Sequence, residues 1–357
     1  MSPPLTVCYF GIFNPDYVRN RIIRKGLTAN GAQVVMCMTR TSGIRKYWQL
    51  LTRHQRLEPY DAMLVGFPGS TIMPLAQILA RWRGKRVVFD SYNSQYHALV
   101  DIRRQATRGN FQAKLTYWRE RLACRLADVV LMDTDAHCRF MAQTYQLPAE
   151  KFRRLLVGSD LPDYFGQRPP PAKPAGKILC HFHGGYSPFQ GVDVILRAAK
   201  RLENSSVHFN LIGAGQEYET MRSLARQLQV QNVSFILPVD YPTLAAYLQI
   251  ADISLGVFGA TETGLRPVIP NKVFEGMAAA KPVVTAHLPA MDELLADGEN
   301  VVFCTPGDDA GLAEKIRQLA VDSRRRERIG ASARRLYEQR LTPAILGREL
   351  ITIFSLR

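Results

Sequence analysis

The sequence is poor in the features that would sort it quickly. Its six cysteines, Cys8, Cys37, Cys124, Cys138, Cys180 and Cys304, are scattered without a CxxC pair. A disulfide framework and a thiolate metal site are both poorly supported, and reduced thiols fit best. No run of about 18 or more apolar residues occurs, so no spanning helix is expected, while attachment to a membrane surface stays open. The opening Met1-Ser-Pro-Pro-Leu-Thr-Val-Cys8 has no basic stretch ahead of a long apolar one, so no signal peptide is expected. There is no repeat at solenoid spacing, no complete GxGxxG, and no GK[ST] closing a phosphate loop.

What remains is an ordinary globular mixture, 46% hydrophobic and 22% charged, which excludes a mainly disordered or fibrous chain. A length of 357 residues suggests two domains. The net charge is +15, and about +12 of it falls in residues 1–165. Such asymmetry suggests that the first half faces an anionic surface or acceptor.

Both halves alternate short apolar runs with longer helix-like stretches. Strands are expected at Thr6–Phe13, Gln33–Met38, Ala62–Val65, Arg86–Phe89, Val129–Met132 and Arg154–Val157, then at Ile178–His183, Val207–Ile212, Val233–Leu237, Ile253–Gly256, Pro282–Thr285 and Val301–Cys304. Helical periodicity lies between them, including Met291–Ala296. Between the halves, Gly166-Gln-Arg-Pro-Pro-Pro-Ala-Lys-Pro-Ala-Gly176 can continue neither a helix nor a central strand. The reading is α/β: an N-terminal Rossmann-like domain (1–165), a linker (166–176), a second Rossmann-like domain (177–340), and a C-terminal helix (341–357) packing back on the first. Parallel sheets of this kind bind ligands at the carboxyl ends of their strands, here in a cleft between facing domains.

Three segments in the second half carry chemistry. Leu211-Ile-Gly213-Ala-Gly215 is a strand followed by a glycine turn; Tyr218 stands where a dinucleotide fingerprint needs its third glycine. His183-Gly184-Gly185-Tyr-Ser-Pro-Phe-Gln190-Gly191 is a loop whose glycines allow close approach to phosphate, ahead of a helix N-terminus. Pro267-Val-Ile-Pro-Asn271-Lys272-Val-Phe-Glu275 opens a helix at Asn271 and sets Lys272 and Glu275 on one face. There the helix end can receive phosphate oxygens, and a carboxylate one turn in can accept from a ribose diol.

These segments, with Ala251-Asp-Ile-Ser254, Lys281-Pro-Val-Val284, Met291–Gly298 and Thr305-Pro-Gly-Asp308, resemble the nucleotide-binding domain of glycosyltransferase family 4, retaining enzymes of GT-B fold. Leu126-Ala-Asp-Val-Val-Leu131 and Leu155–Asp160 resemble the family's first domain more loosely. The resemblance implies a nucleoside diphosphate sugar as donor and Glu275 as the ribose ligand. It departs at the loop, where Gly185 and Gln190 occupy the positions of the family's phosphate-holding Arg and Lys, and at Pro267, where a first glutamate is usual. Lys272 and Arg266 are the nearest replacement cations, in a segment resembling a P-x-K-x-x-E subgroup. In the first half, the resemblance places an acceptor-side loop at Gly11, with Arg19 and Arg21 able to meet an anion, and makes Asp90 and His97 candidates to face the transferred sugar.

The function expected is a glycosyltransferase without cofactor or metal, since no DxD-like motif stands where one would be needed. Basic stretches with tryptophan, Arg40–Arg56 and Arg103–Arg125, suit an anionic membrane surface and so a lipid-linked or glycan acceptor, with the protein cytoplasmic and peripheral. No nucleic-acid fold accompanies them. A non-catalytic GT-B-like binding protein and a Rossmann-type dehydrogenase are the alternatives.

Overall fold

The computed structural model describes residues 4–102, 105–260 and 267–355. The chain forms two compact units, Met1–Val157 with Thr342–Arg357, and Gly158–Leu341. In the first unit, β1 (Thr6–Gly11), α1 (Val18–Ala29), β2 (Gln33–Met38), α2 (Arg45–Gln55), β3 (Ala62–Val65), α3 (Met73–Trp82), β4 (Arg86–Tyr92), α4 (Gln95–His97), α5 (Phe111–Leu126), β5 (Val129–Met132), α6 (Asp135–Tyr145) and β6 (Phe152–Arg154) follow in order. The second holds β7 (Ile178–Gly185), α7 (Val192–Arg201), β8 (Val207–Ala214), α8 (Tyr218–Gln227), β9 (Val233–Ile236), α9 (Tyr241–Ile250), β10 (Ile253–Leu255), α10 (Asn271–Ala278), β11 (Val283–Ala286), β12 (Val302–Cys304), α11 (Asp309–Val321) and α12 (Ser323–Arg340). The last helix, α13 (Pro343–Ser355), belongs to the first unit.

Each unit is built on a parallel six-stranded sheet, ordered β2-β1-β3-β4-β5-β6 and β12-β11-β10-β7-β8-β9. The inner strands are apolar on both faces because helices cover both; Val129–Met132 is buried throughout. Helix α7 shows how the covers form: Val192, Val194, Ile195, Leu196, Ala198 and Ala199 face the core, and Arg197 and Asp193 pair on the outside. The strand order reverses between β1 and β3 in one unit and between β7 and β10 in the other. Such switch points open a crevice at the carboxyl ends of the strands, so Gly11 and the loop after His183 both lie where a ligand is expected.

Three expectations are corrected. The last strand of the first sheet lies at Phe152–Arg154, earlier than Arg154–Val157. The carbonyls of Leu155 and Leu156, which a longer ladder would use, accept instead from Arg19 Nη1 at 2.7 and 2.8 Å. The helix expected at Met291–Ala296 is a 3₁₀ turn at Pro289–Glu293, and beyond it Asn300 Oδ1 takes the Ala296 N–H. The division between units falls at Val157/Gly158 rather than at 166–176. By then the chain is already held in the second unit: Ser159 accepts from Tyr337 at 2.8 Å, and the rings of Tyr164 and Tyr241 are 4.9 Å apart. The C-terminal helix α13 lies in the first unit, where its Gly347 is so close to Gly26 of α1 that a Cβ would stand 2.0 Å from the Gly26 carbonyl.

Candidate nucleotide-sugar site

At the end of β7 the sheet narrows. Gly184 pairs with Gly213 of β8, and a Cβ on Gly213, at φ +144°, would lie 1.9 Å from the Gly184 carbonyl. Gly213 is thus needed for the close approach of β8 to β7. Gly185 is exposed and its Cβ would meet nothing nearer than 3.9 Å, so backbone is open to a ligand there. The loop closes at Gly191, φ +66°, where a Cβ would strike Gly259 N at 2.3 Å; the Gln190 carbonyl accepts from Phe258.

Helix α10 delivers the charges. Lys272, in its first turn, is buried; its ammonium donates to Gln190 Oε1, lies over the Phe182 ring at 4.5 Å, and approaches Gly184 so closely that a Cβ there would be 2.9 Å away. The lysine thus reaches the loop from the neighbouring helix, at the loop where Gly185 and Gln190 leave no cation. Burial pushes its pKa down to about 7, against the pull of Glu275. Asn271 begins the helix behind Pro270. Glu275 is also buried, with Oε2 2.7 Å from His183 Nε2 and Oε1 accepting from Tyr241 at 2.9 Å. Burial raises its pKa, but His183, the Tyr241 hydroxyl and Lys272 outweigh this and hold the carboxyl below its usual range. Arg266 lies outside the described residues.

In the first unit the expected acceptor-side groups turn inward. Arg19 and Asp90 form a buried ion pair, with Nη2–Oδ1 at 3.0 Å and Nε contacts at 3.1 and 3.2 Å. Together with its two carbonyl acceptors, this leaves Arg19 tied to the scaffold and Asp90 wholly covered. The expectation that Arg19 meets a ligand anion, and that Asp90 faces a sugar, is therefore corrected: a buried pair of this kind fixes α1 to β4. Arg21 is buried and donates to the Asp16 carbonyl at 2.8 Å. Gly11, φ +145°, packs beside Ile72 and Phe13. His97 is buried with Nδ1 2.9 Å from Asp101. Its loop is anchored by Glu120, which accepts from Gln95 N–H and Tyr96 N–H at 2.7 and 2.9 Å.

Residues 165–336 match the family model described as Glycosyl transferases group 1. A phosphatidyl-myo-inositol mannosyltransferase of Mycobacterium leprae is 34% identical over 164 residues, covering 44% of this chain and 42% of that protein. The curated relatives are matched over 35% to 50% of their length. Among solved structures, Anabaena HepE in complex with UDP aligns over 99% of this chain and 100% of its own, with a TM-score of 0.72 at 16% identity. WaaG, a glycosyltransferase involved in lipopolysaccharide biosynthesis, aligns over 98% and 99% with a TM-score of 0.66 at 17% identity. The fold is that of GT-B glycosyltransferases, with two Rossmann-like domains.

Within residues 165–336 the structure adds His181, His183 and Tyr241 to the residues expected from sequence. The histidines had a signal: alternate positions on a strand share a face, and His183 directly precedes the glycine loop. Tyr241 had none, because its contact with Glu275 spans 34 residues. Among the described residues no group of three or more His, Cys, Asp or Glu is placed to hold a metal ion.

Proposed function

We propose that the protein is a retaining glycosyltransferase, metal-independent, that moves a sugar from a nucleoside diphosphate sugar to a lipid-linked or membrane-proximal glycan. The observation that carries this reading is the reach of Lys272 to the Gly184–Gln190 loop with Glu275 one turn behind it. One residue set then offers an ammonium and open loop backbone to a diphosphate, and a carboxylate to a ribose. In the reaction the bond from the anomeric carbon to the diphosphate breaks, and the acceptor oxygen bonds that carbon on the same face. The acceptor proton passes to the leaving phosphate oxygen, so no separate protein base is required. Lys272 offsets the charge growing on the leaving group.

The acceptor class is supported by α5. Phe111, Leu115, Trp118 and Leu122 form an exposed apolar stripe on it, while Ala113, Thr116, Ala123 and Cys124 face the core. Lys114 and Arg125 are exposed on the same helix. An apolar stripe among cations suits the interface of an anionic leaflet. No described helix is long and apolar enough to cross a membrane, and we place the enzyme at the inner face of the cytoplasmic membrane.

The direct test is donor binding and transfer with UDP-, GDP- and ADP-sugars. Glu275→Ala is expected to weaken binding of the preferred donor by about 1.5–3 kcal/mol, the range of hydrogen bonds to a charged group. Unchanged affinity in a folded variant removes Glu275 from the donor site. Absence of turnover with every donor, despite tight binding, favours a binding protein.

A further inference from the structure

Glu275 sits at the end of a short hydrogen-bonded row. His183 Nε2 is 2.7 Å from its Oε2, His183 Nδ1 is 3.1 Å from His181 Nε2, and His181 Nδ1 has no partner although it is buried. The tautomers follow from these contacts. Beside an ionised Glu275, His183 must carry hydrogen on Nε2. A neutral His183 then has a bare Nδ1, which needs the N–H of His181 Nε2. That leaves His181 Nδ1 bare, so the unpartnered atom is an acceptor and every N–H of the two rings is used. Burial, with His183 and Lys272 close by, holds the pKa of His181 well below its usual value and keeps it neutral.

On its other side Glu275 Oε1 accepts from Tyr241. The two contacts occupy one lone-pair position on each carboxylate oxygen and leave the second position on each. That is what a vicinal diol requires, since it offers two O–H donors side by side. We propose that His183 and Tyr241 are positioning residues that hold the Glu275 carboxylate in the plane that receives a ribose diol, with His181 fixing the His183 tautomer. This rests on the reading of Glu275 as the ribose-holding carboxylate. Its consequence is a preference for ribonucleotides over 2′-deoxyribonucleotides that passes through two side chains which touch the carboxylate and not the sugar.

The test is calorimetric titration with UDP, GDP and ADP and with their 2′-deoxy counterparts. The wild type should bind at least one ribonucleotide about tenfold or more tighter than its deoxy form, the lower end for a hydrogen bond to a charged group, and Glu275→Ala should abolish the difference. Tyr241→Phe, which keeps the ring, and His183→Phe should each shrink that ratio about threefold or more and leave affinity for the deoxy form within about twofold. His183→Gln, which keeps an N–H near the Nε2 position, should restore the ratio. If Glu275→Ala abolishes the preference but Tyr241→Phe and His183→Phe both retain it in full, the positioning roles are overturned while the ribose reading stands. If both nucleotide forms lose affinity in parallel, the two residues only support the fold and the proposal fails. If the wild type binds none of the six, or shows no preference, the ribose reading falls and takes the proposal with it.

Discussion

At the scale of single residues, Lys272 decides most. Its spacing from Glu275 was readable in the sequence, because three residues on a helix is one face; its burial against Phe182 and Gln190 was not, since those partners come from a distant loop. A lysine at about 7 folded and about 10.4 unfolded binds fewer protons in the folded state between those values. The ligand-free protein therefore gains stability from this group as pH rises from about 7 toward 10. A diphosphate binds the charged form, so its affinity should fall over the same window, by up to about tenfold per pH unit. Lys272→Arg should remove that fall because arginine stays charged, and Lys272→Ala should bind weakly at every pH. Titrating UDP from pH 7 to about 9.5 checks this; a flat wild-type profile excludes Lys272 as the phosphate partner. The same scale shows where residue type misleads. Arg19 and Asp90 look like ligand-facing charges, yet each neutralises the other inside the first unit.

At the scale of elements, strands were the most legible feature. A parallel strand covered on both faces reads as an unbroken apolar run, and most of the expected strands coincide with observed ones to within a few residues. Elements failed where side chains took over backbone partners, as Arg19 does beyond β6 and Asn300 does after Pro289–Glu293. The glycines of α1 and α13 were silent in sequence because their meaning lies in a contact between residues 26 and 347. There Gly347 allows α13 to lie directly on the Gly26 carbonyl. Gly347→Ala should force the two helices apart and cost about 1–3 kcal/mol. Urea unfolding measures it, and a midpoint equal to the wild type contradicts the close packing.

For the whole molecule, charge is the feature that spacing does not reveal. The excess of +15 is concentrated in the first 165 residues, where α5 also exposes Trp118 and Phe111. Each cation near an anionic leaflet contributes about 1 kcal/mol and fades within a Debye length. Cosedimentation should show binding to anionic vesicles, little to neutral ones, and release by salt; Trp118→Ala with Leu115→Ala should weaken it. Equal partitioning to both vesicle types, or none to either, removes the membrane-surface proposal and leaves the transferase proposal intact. The return of α13 to α1 bears on how such a molecule is made. A ribosome releases the N-terminus first, so α1 exists long before the helix that covers Gly26. The second unit is continuous from Gly158 to Leu341 and can close its sheet before the first is complete. Order of synthesis and order of completion are therefore inverted: the first unit, begun first, is finished only when α13 is made, after the whole of the second unit.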